Sequence, residues 1–130
     1  RPPRSTLFPS TTLFRSAEAW AKEHGGGFAA TPREAASGQE IVLACVGNDD
    51  DLRSVCLGED GAFAGMASGT TFVDHTTVSA AVTRELYAVA KDQGVGFVDA
   101  PVSGGQAGAE NGQLGIMCAA IRRSTMRFSR

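Results

Sequence analysis

Short apolar runs and amphipathic stretches alternate along most of this chain. Residues 41–46 (IVLACV) are continuously apolar, which predicts a strand buried on both faces. Gly47 and Asn48 break the run. Residues 49–57 predict a helix whose first turn holds Asp49, Asp50 and Asp51, where carboxylates complement the helix dipole. Residues 70–74 are rich in β-branched and aromatic side chains and predict a second strand. Residues 79–93 carry the clearest helical signal. Val82, Leu86, Val89 and Ala90 share one face, Ser79 is placed to cap the start, and Gly94 to cap the end. Residues 95–99 predict a third strand, halted by Pro101. Residues 106–111 predict a helical turn, and residues 114–119 a fourth apolar strand.

Nearer the start the pattern is weaker. Residues 17–24 predict a short helix, stopped by Gly25, Gly26 and Gly27. Residues 28–30 read as a brief strand. Thr31 is placed as the N-cap of a turn reaching Ala36, with Pro32 at its first helical position. Residues 58–69 read mostly as loop. Residues 1–16 repeat a Thr-Leu-Phe phrase around proline and serine, with neither helical nor strand periodicity. They resemble a translated sequencing adaptor or a disordered tail, and are expected to lie outside the fold. Residues 121–130 form a basic tail without pattern, so residues 17–120 are expected to make the folded unit.

Strands alternating with helices imply βαβ units and an α/β fold with a mainly parallel sheet. Right-handed crossovers would place helices on both faces. Ligands of such sheets bind outside the carboxyl ends of the strands. Three places meet that rule: residues 46–48, 74–77 and 99–105.

Composition narrows the function classes. At 130 residues, 42% hydrophobic and 20% charged, the chain fits one soluble globular domain. It has no apolar run of roughly 20 residues, so no helical membrane span is expected. No secretory signal is legible either. All 14 acidic residues lie between Glu18 and Glu110, against five bases in that stretch (Lys22, Arg33, Arg53, Arg84 and Lys91). An acidic body of this kind excludes binding along a nucleic-acid backbone, which needs clustered Lys and Arg. Cys45, Cys56 and Cys118 have neither zinc-ligand nor redox spacing and read as reduced core residues of a cytoplasmic protein. The run Asp49-Asp50-Asp51 lacks the alternation and closing glutamate of a calcium loop, so no metal site is expected.

Candidate chemistry gathers at residues 99–105 (DAPVSGG). Pro101 fixes the backbone after a strand, and Ser103 supplies a hydroxyl. Gly104 and Gly105 let a ligand approach backbone N–H groups that suit a carboxylate. An ordinary tight turn accounts for the same residues. Thr76 and Thr77 at the second strand end can meet a cofactor or simply cap the next segment. His75 reads as a loop histidine rather than a general base, since no carboxylate is paired with it by motif. No G-x-G-x-x-G is present. The glycine run at 25–27 follows a helix, whereas the dinucleotide fingerprint follows a strand.

Taken together, DAPVSGG with Ala109, Gly112 and Leu114 after it, VDHTT at 73–77, and GEDG at 58–61 resemble the β-hydroxyacid dehydrogenase family. The family includes 3-hydroxyisobutyrate dehydrogenase and is distantly related to 6-phosphogluconate dehydrogenase. The resemblance covers about residues 17–120. It implies a partial Rossmann-like, doubly wound sheet lacking its first strands, and NAD or NADP as cofactor. It also implies that Ser103, Gly104 and Gly105 hold the substrate carboxylate and nearby hydroxyl. Thr77 would contact the nicotinamide end of the cofactor, and Val46 and Gly47 would touch the cofactor with their backbone. Gly47 stands where the family has proline. The family's pyrophosphate loop and catalytic lysine have no counterpart here, and Lys22 and Lys91 match neither, so the chain reads as an inactive fragment of a hydride-transferring enzyme. The whole enzyme is expected to take a small β-hydroxyacid and to be a homo-oligomer. A non-catalytic dinucleotide-binding or scaffold protein on the same fold is the alternative.

Overall fold

The computed structural model describes the backbone of residues 8–119 and the side chains of residues 16–119. A three-stranded parallel sheet organises it, built from β1 (Ile41–Ala44), β2 (Thr71–Asp74) and β3 (Gly96–Asp99) in that spatial order. The register sets Val42, Phe72 and Phe97 side by side, and Leu43, Val73 and Val98 on the opposite face. Phe72 is fully buried. It stacks on Phe97 with ring centroids 5.7 Å apart, and Phe63 meets it edge-on at 5.3 Å.

Three helices cover that face: α3 (Asp49–Cys56), the short α4 (Ala62–Gly65) inside the stretch read as loop, and α5 (Ala80–Asp92). Leu52 and Cys56 from α3, Phe63 from α4, and Val82, Leu86 and Ala90 from α5 meet there. The α5 boundaries follow its caps. Ser79 Oγ accepts the Val82 N–H at 3.2 Å. Past the helix, Gly94 N–H bonds Lys91 O at 3.0 Å and Val95 N–H bonds Ala90 O at 2.8 Å, which turns the chain directly into β3. Helices on both faces were expected, yet α3, α4 and α5 share one. The reason is topological. The order β1-β2-β3 advances in one direction, and right-handed crossovers that advance together land on the same side. Val73, Val98 and Ala100 form a second, small buried cluster on the other face.

Other expectations need correcting. Helix α1 runs Phe8–His24, beginning nine residues before the helix predicted over 17–24. Pro9 falls in its first turn, where a missing N–H costs no intrahelical bond. Residues 1–7 and 120–130 lie outside the described residues. Residues 28–30 form no strand. Ala30 N–H instead bonds Glu34 Oε2 at 3.3 Å, ahead of α2 (Pro32–Ala36), where Thr31 Oγ1 caps Glu34 N–H at 3.1 Å. The run 41–46 is not buried on both faces. Only Ile41–Ala44 is strand, and Ile41 and Leu43 are 49% and 64% exposed. An apolar run states a demand for burial, but among the described residues no element covers that side of β1. Cys45 and Cys118 are likewise exposed, and only Cys56 is a core cysteine.

The fourth apolar stretch does not join the parallel sheet. β5 (Gly115–Ile116) pairs antiparallel with β4 (Val102–Ser103), and α6 (Gly105–Glu110) fills the turn between them. Asp99 and Ala119 exchange two further backbone bonds, at 2.9 and 2.7 Å. The stretch instead finds its backbone partners locally, in Val102–Ser103 and Asp99.

Candidate functional site

All three parallel strands end at one edge, and each exit follows from its local sequence. At the first, β1 stops at Ala44 and the chain passes through Val46 and the exposed Gly47 to Asn48. Asn48 Oδ1 accepts the Asp51 N–H at 2.8 Å and starts α3. Asp49 reaches across to α5, taking Ser79 N–H at 2.9 Å and Ser79 Oγ–H at 2.6 Å. Those bonds hold the Asp49 carboxyl below the usual carboxylate range, and Arg53 adds a smaller pull. The acidic triplet thus joins two helix starts.

At the second exit, Asp74 is fully buried. Period-two alternation places it on the Phe72 face. Its Oδ1 accepts Thr76 N–H at 2.9 Å, and its Oδ2 is buried without a hydrogen-bond partner. Thr76 is buried as well, and its Oγ1 accepts the Val46 N–H at 3.0 Å. Thr77, next in the chain, is exposed. His75 N–H bonds Ala44 O at 2.7 Å. Its Nδ1 lies 2.8 Å from Ala100 O. A carbonyl can only accept, so Nδ1 carries the proton and Nε2 is left facing away from that bond.

At the third exit, Ala100 N–H bonds Asp74 O at 2.7 Å. Pro101 leads into β4, and Met117 N–H bonds Pro101 O at 3.1 Å, which ties the arm back. Ser103 is exposed. Gly104 has φ +126° and Gly105 φ +61°, conformations that L side chains rarely take. A Cβ on Gly104 would also stand 3.2 Å from Leu114 Cδ2. Asp99 lies in register with Asp74, and its carboxyl is pushed above the usual range, chiefly by burial and then by the Asp74 charge.

The structure therefore places every sequence-derived candidate at one edge. Val46 is tied to the second exit through Thr76. The third exit is tied to the second through Ala100, Asp74 and His75. No hydrogen bond joins Ser103 to Thr77, and Ser103, Gly104 and Gly105 sit on the β4–α6 arm. The linking roles of Asp74, Thr76 and His75 were not legible as motifs. The usable signal was the alternation that sends a carboxylate inward beside phenylalanine. Exposed hydroxyls and glycine backbone, with no Lys or Arg in residues 44–49, 74–79 or 99–105, form a donor set suited to hydroxyl, amide and carboxylate groups.

Comparison with known proteins agrees with that geometry. A family model described as the NAD binding domain of 6-phosphogluconate dehydrogenase matches residues 11–129. An "Uncharacterized oxidoreductase" of Shewanella frigidimarina is 58% identical over 98 residues, covering 75% of this chain and 34% of that protein. The "Probable 3-hydroxyisobutyrate dehydrogenase-like 2, mitochondrial" of Arabidopsis thaliana is 44% identical over 92 residues, covering 71% of this chain and 31% of that protein. The 3-hydroxyisobutyrate dehydrogenase of Mycobacterium tuberculosis, solved with L-serine, superposes with a TM-score of 0.74 at 28% identity, covering 89% of this chain and 38% of that one. The chain thus spans about a third of the length of these curated relatives. A parallel sheet with coupled strand exits and a match across nearly the whole sequence lead to one conclusion: the chain belongs to the family of the 6-phosphogluconate dehydrogenase NAD-binding domain.

Proposed function

We propose that this chain contributes the nicotinamide and carboxylate contacts of an enzyme that transfers hydride between NAD or NADP and a small β-hydroxyacid. The observation that carries the reading is the coupling of three strand exits, with exposed Thr77 on one and the Ser103-Gly104-Gly105 turn on the next. A bound nicotinamide supplies the hydride acceptor or donor. Thr77 offers it a hydroxyl, and the Val46–Gly47 backbone supports it from the neighbouring exit. Ser103 and the N–H groups of Gly104 and Gly105 hold the substrate carboxylate and the adjacent hydroxyl. Their contribution is orientation, which lowers the barrier by fixing reacting atoms in place. L-serine, present with the Mycobacterium tuberculosis relative, has this carboxylate and β-hydroxyl chemistry.

The chain alone is proposed to bind without turning over. Lys91 lies in the last turn of α5, at the opposite end of the sheet from the strand exits, and Lys22 pairs with Glu18 at 3.7 Å. Lys91 thus does not stand at the site to manage a proton, and the Lys22 ammonium is engaged by a carboxylate. A cytoplasmic location and a homo-oligomeric whole enzyme complete the reading. Titration of the chain with NADH and with NADPH, followed by nicotinamide fluorescence, tests it. Saturable binding of either, weakened by Thr77→Val, supports the proposal. Absence of binding by both dinucleotides refutes it.

A further inference from the structure

We infer that Thr76 is a positioning residue that sets the cofactor side of the site, an inference that rests on the dinucleotide reading above. Beyond Ala44 the first exit has left the sheet, and the Val46 N–H has no strand partner. Thr76 Oγ1 takes that N–H at 3.0 Å, across an interval of 30 residues in sequence. Thr76 is only 2% exposed, so water does not replace this acceptor without opening the structure. Its own position is fixed from below. Thr76 N–H bonds Oδ1 of Asp74, a side chain with no exposure and no room to swing outward. The backbone bond from His75 N–H to Ala44 O, at 2.7 Å, clamps the same two exits one step earlier.

The consequence reaches two ligand contacts at once. Gly47 follows Val46 directly, and no ring restrains it, so the Val46 tether is what orients that turn. Thr77 follows Thr76 directly, and a Thr76 anchored inward leaves Thr77 facing outward. One buried hydroxyl thereby sets the spacing between the Val46–Gly47 backbone and the Thr77 hydroxyl. The neighbouring link, His75 Nδ1–H to Ala100 O at 2.8 Å, ties the same segment to the strand that leads to Ser103.

The test uses the 130-residue chain. Thr76→Val keeps the shape and removes the acceptor. Thr76→Ser keeps the acceptor. NADH dissociation constants by fluorescence titration are measured beside Val46 amide exchange by NMR and the thermal midpoint. Thr76→Val is expected to weaken NADH about tenfold and to speed Val46 exchange, as loss of a buried acceptor implies. Thr76→Ser is expected to stay within about twofold of the wild type on both. A Thr76→Val chain that melts earlier yet binds NADH as tightly as the wild type has lost only stability, and overturns the inference. If Thr76→Val does not fold, Thr76→Cys replaces it. The weak thiol acceptor must then weaken NADH relative to Thr76→Ser, and equal affinities overturn the inference. A wild-type chain that binds neither NADH nor NADPH refutes the dinucleotide reading before any variant is compared, and this inference falls with it.

Discussion

Gly58 and Gly61 bracket the loop that carries α3 into α4, and the structure requires glycine at the two positions for opposite reasons. Gly58 has φ +85°, but a Cβ there would meet nothing within 4 Å. Alanine at Gly58 therefore carries only the left-handed backbone cost, about 1 kcal/mol. Gly61 has an ordinary φ of −74°. A Cβ there would stand 2.3 Å from Leu57 O and 2.5 Å from Cys56 O. Relief requires about 1 Å of movement by main-chain carbonyls, since ordinary contact begins near 3.4 Å. These carbonyls end α3, whose C-cap bond, Leu57 N–H to Arg53 O at 2.8 Å, and fully buried Cys56 resist that shift. Overpacking against such a neighbour costs about 3 kcal/mol, the upper end of the usual range. Urea unfolding of Gly58→Ala and Gly61→Ala, followed by circular dichroism, separates the two. With a slope of about 2 kcal/mol per molar, the Gly61→Ala midpoint falls about 1 M below that of Gly58→Ala. Equal midpoints, or the reverse order, would refute the close-approach argument.

Two further outcomes concern titratable groups. Burial, with a smaller contribution from the Asp74 charge, pushes the Cys56 thiol up to about 12, whereas Cys45 and Cys118 are exposed. Iodoacetamide near neutral pH should label Cys45 and Cys118 and spare Cys56 until urea is added. Peptide mapping that finds Cys56 labelled at the same rate in the native chain contradicts this burial. The Asp99 carboxyl is raised from its usual 3.8, so the folded chain binds this proton more tightly than the unfolded one. The Asp99 contribution to stability is therefore largest below the usual carboxylate pKa and is lost as pH rises through the raised value. Asp99→Asn removes that slope, so its stability relative to the wild type should improve across this window. A difference that stays flat with pH, read from unfolding midpoints, would show that Asp99 is not perturbed.

Local rules explain which elements were legible. Helix α5 was read with its caps because Val82, Leu86 and Ala90 recur at helical spacing, and Ser79 bonds a neighbour only three residues away. The Thr31–Pro32 start of α2 succeeded for the same reason. The start of α1 was placed too late because composition and repetition were weighed in place of a helix with no breaker after its first turn. The antiparallel arm was misjudged because an apolar stretch at 114–119 does not name its partner, and the partner proved to be Val102–Ser103.

The sequence by itself determined the alternation of strands and helices, the caps, and the three strand ends where polar and small residues collect. These depend on neighbours within about four positions, and the chain carries that information directly. Only the tertiary structure decided that α3, α4 and α5 share one face, that Ile41 and Leu43 stay exposed, and that Asp74 is buried beneath Thr76. The bond from Val46 to Thr76 spans 30 residues. Such contacts exist only once strand order and register have brought distant segments together, so no local pattern announces them.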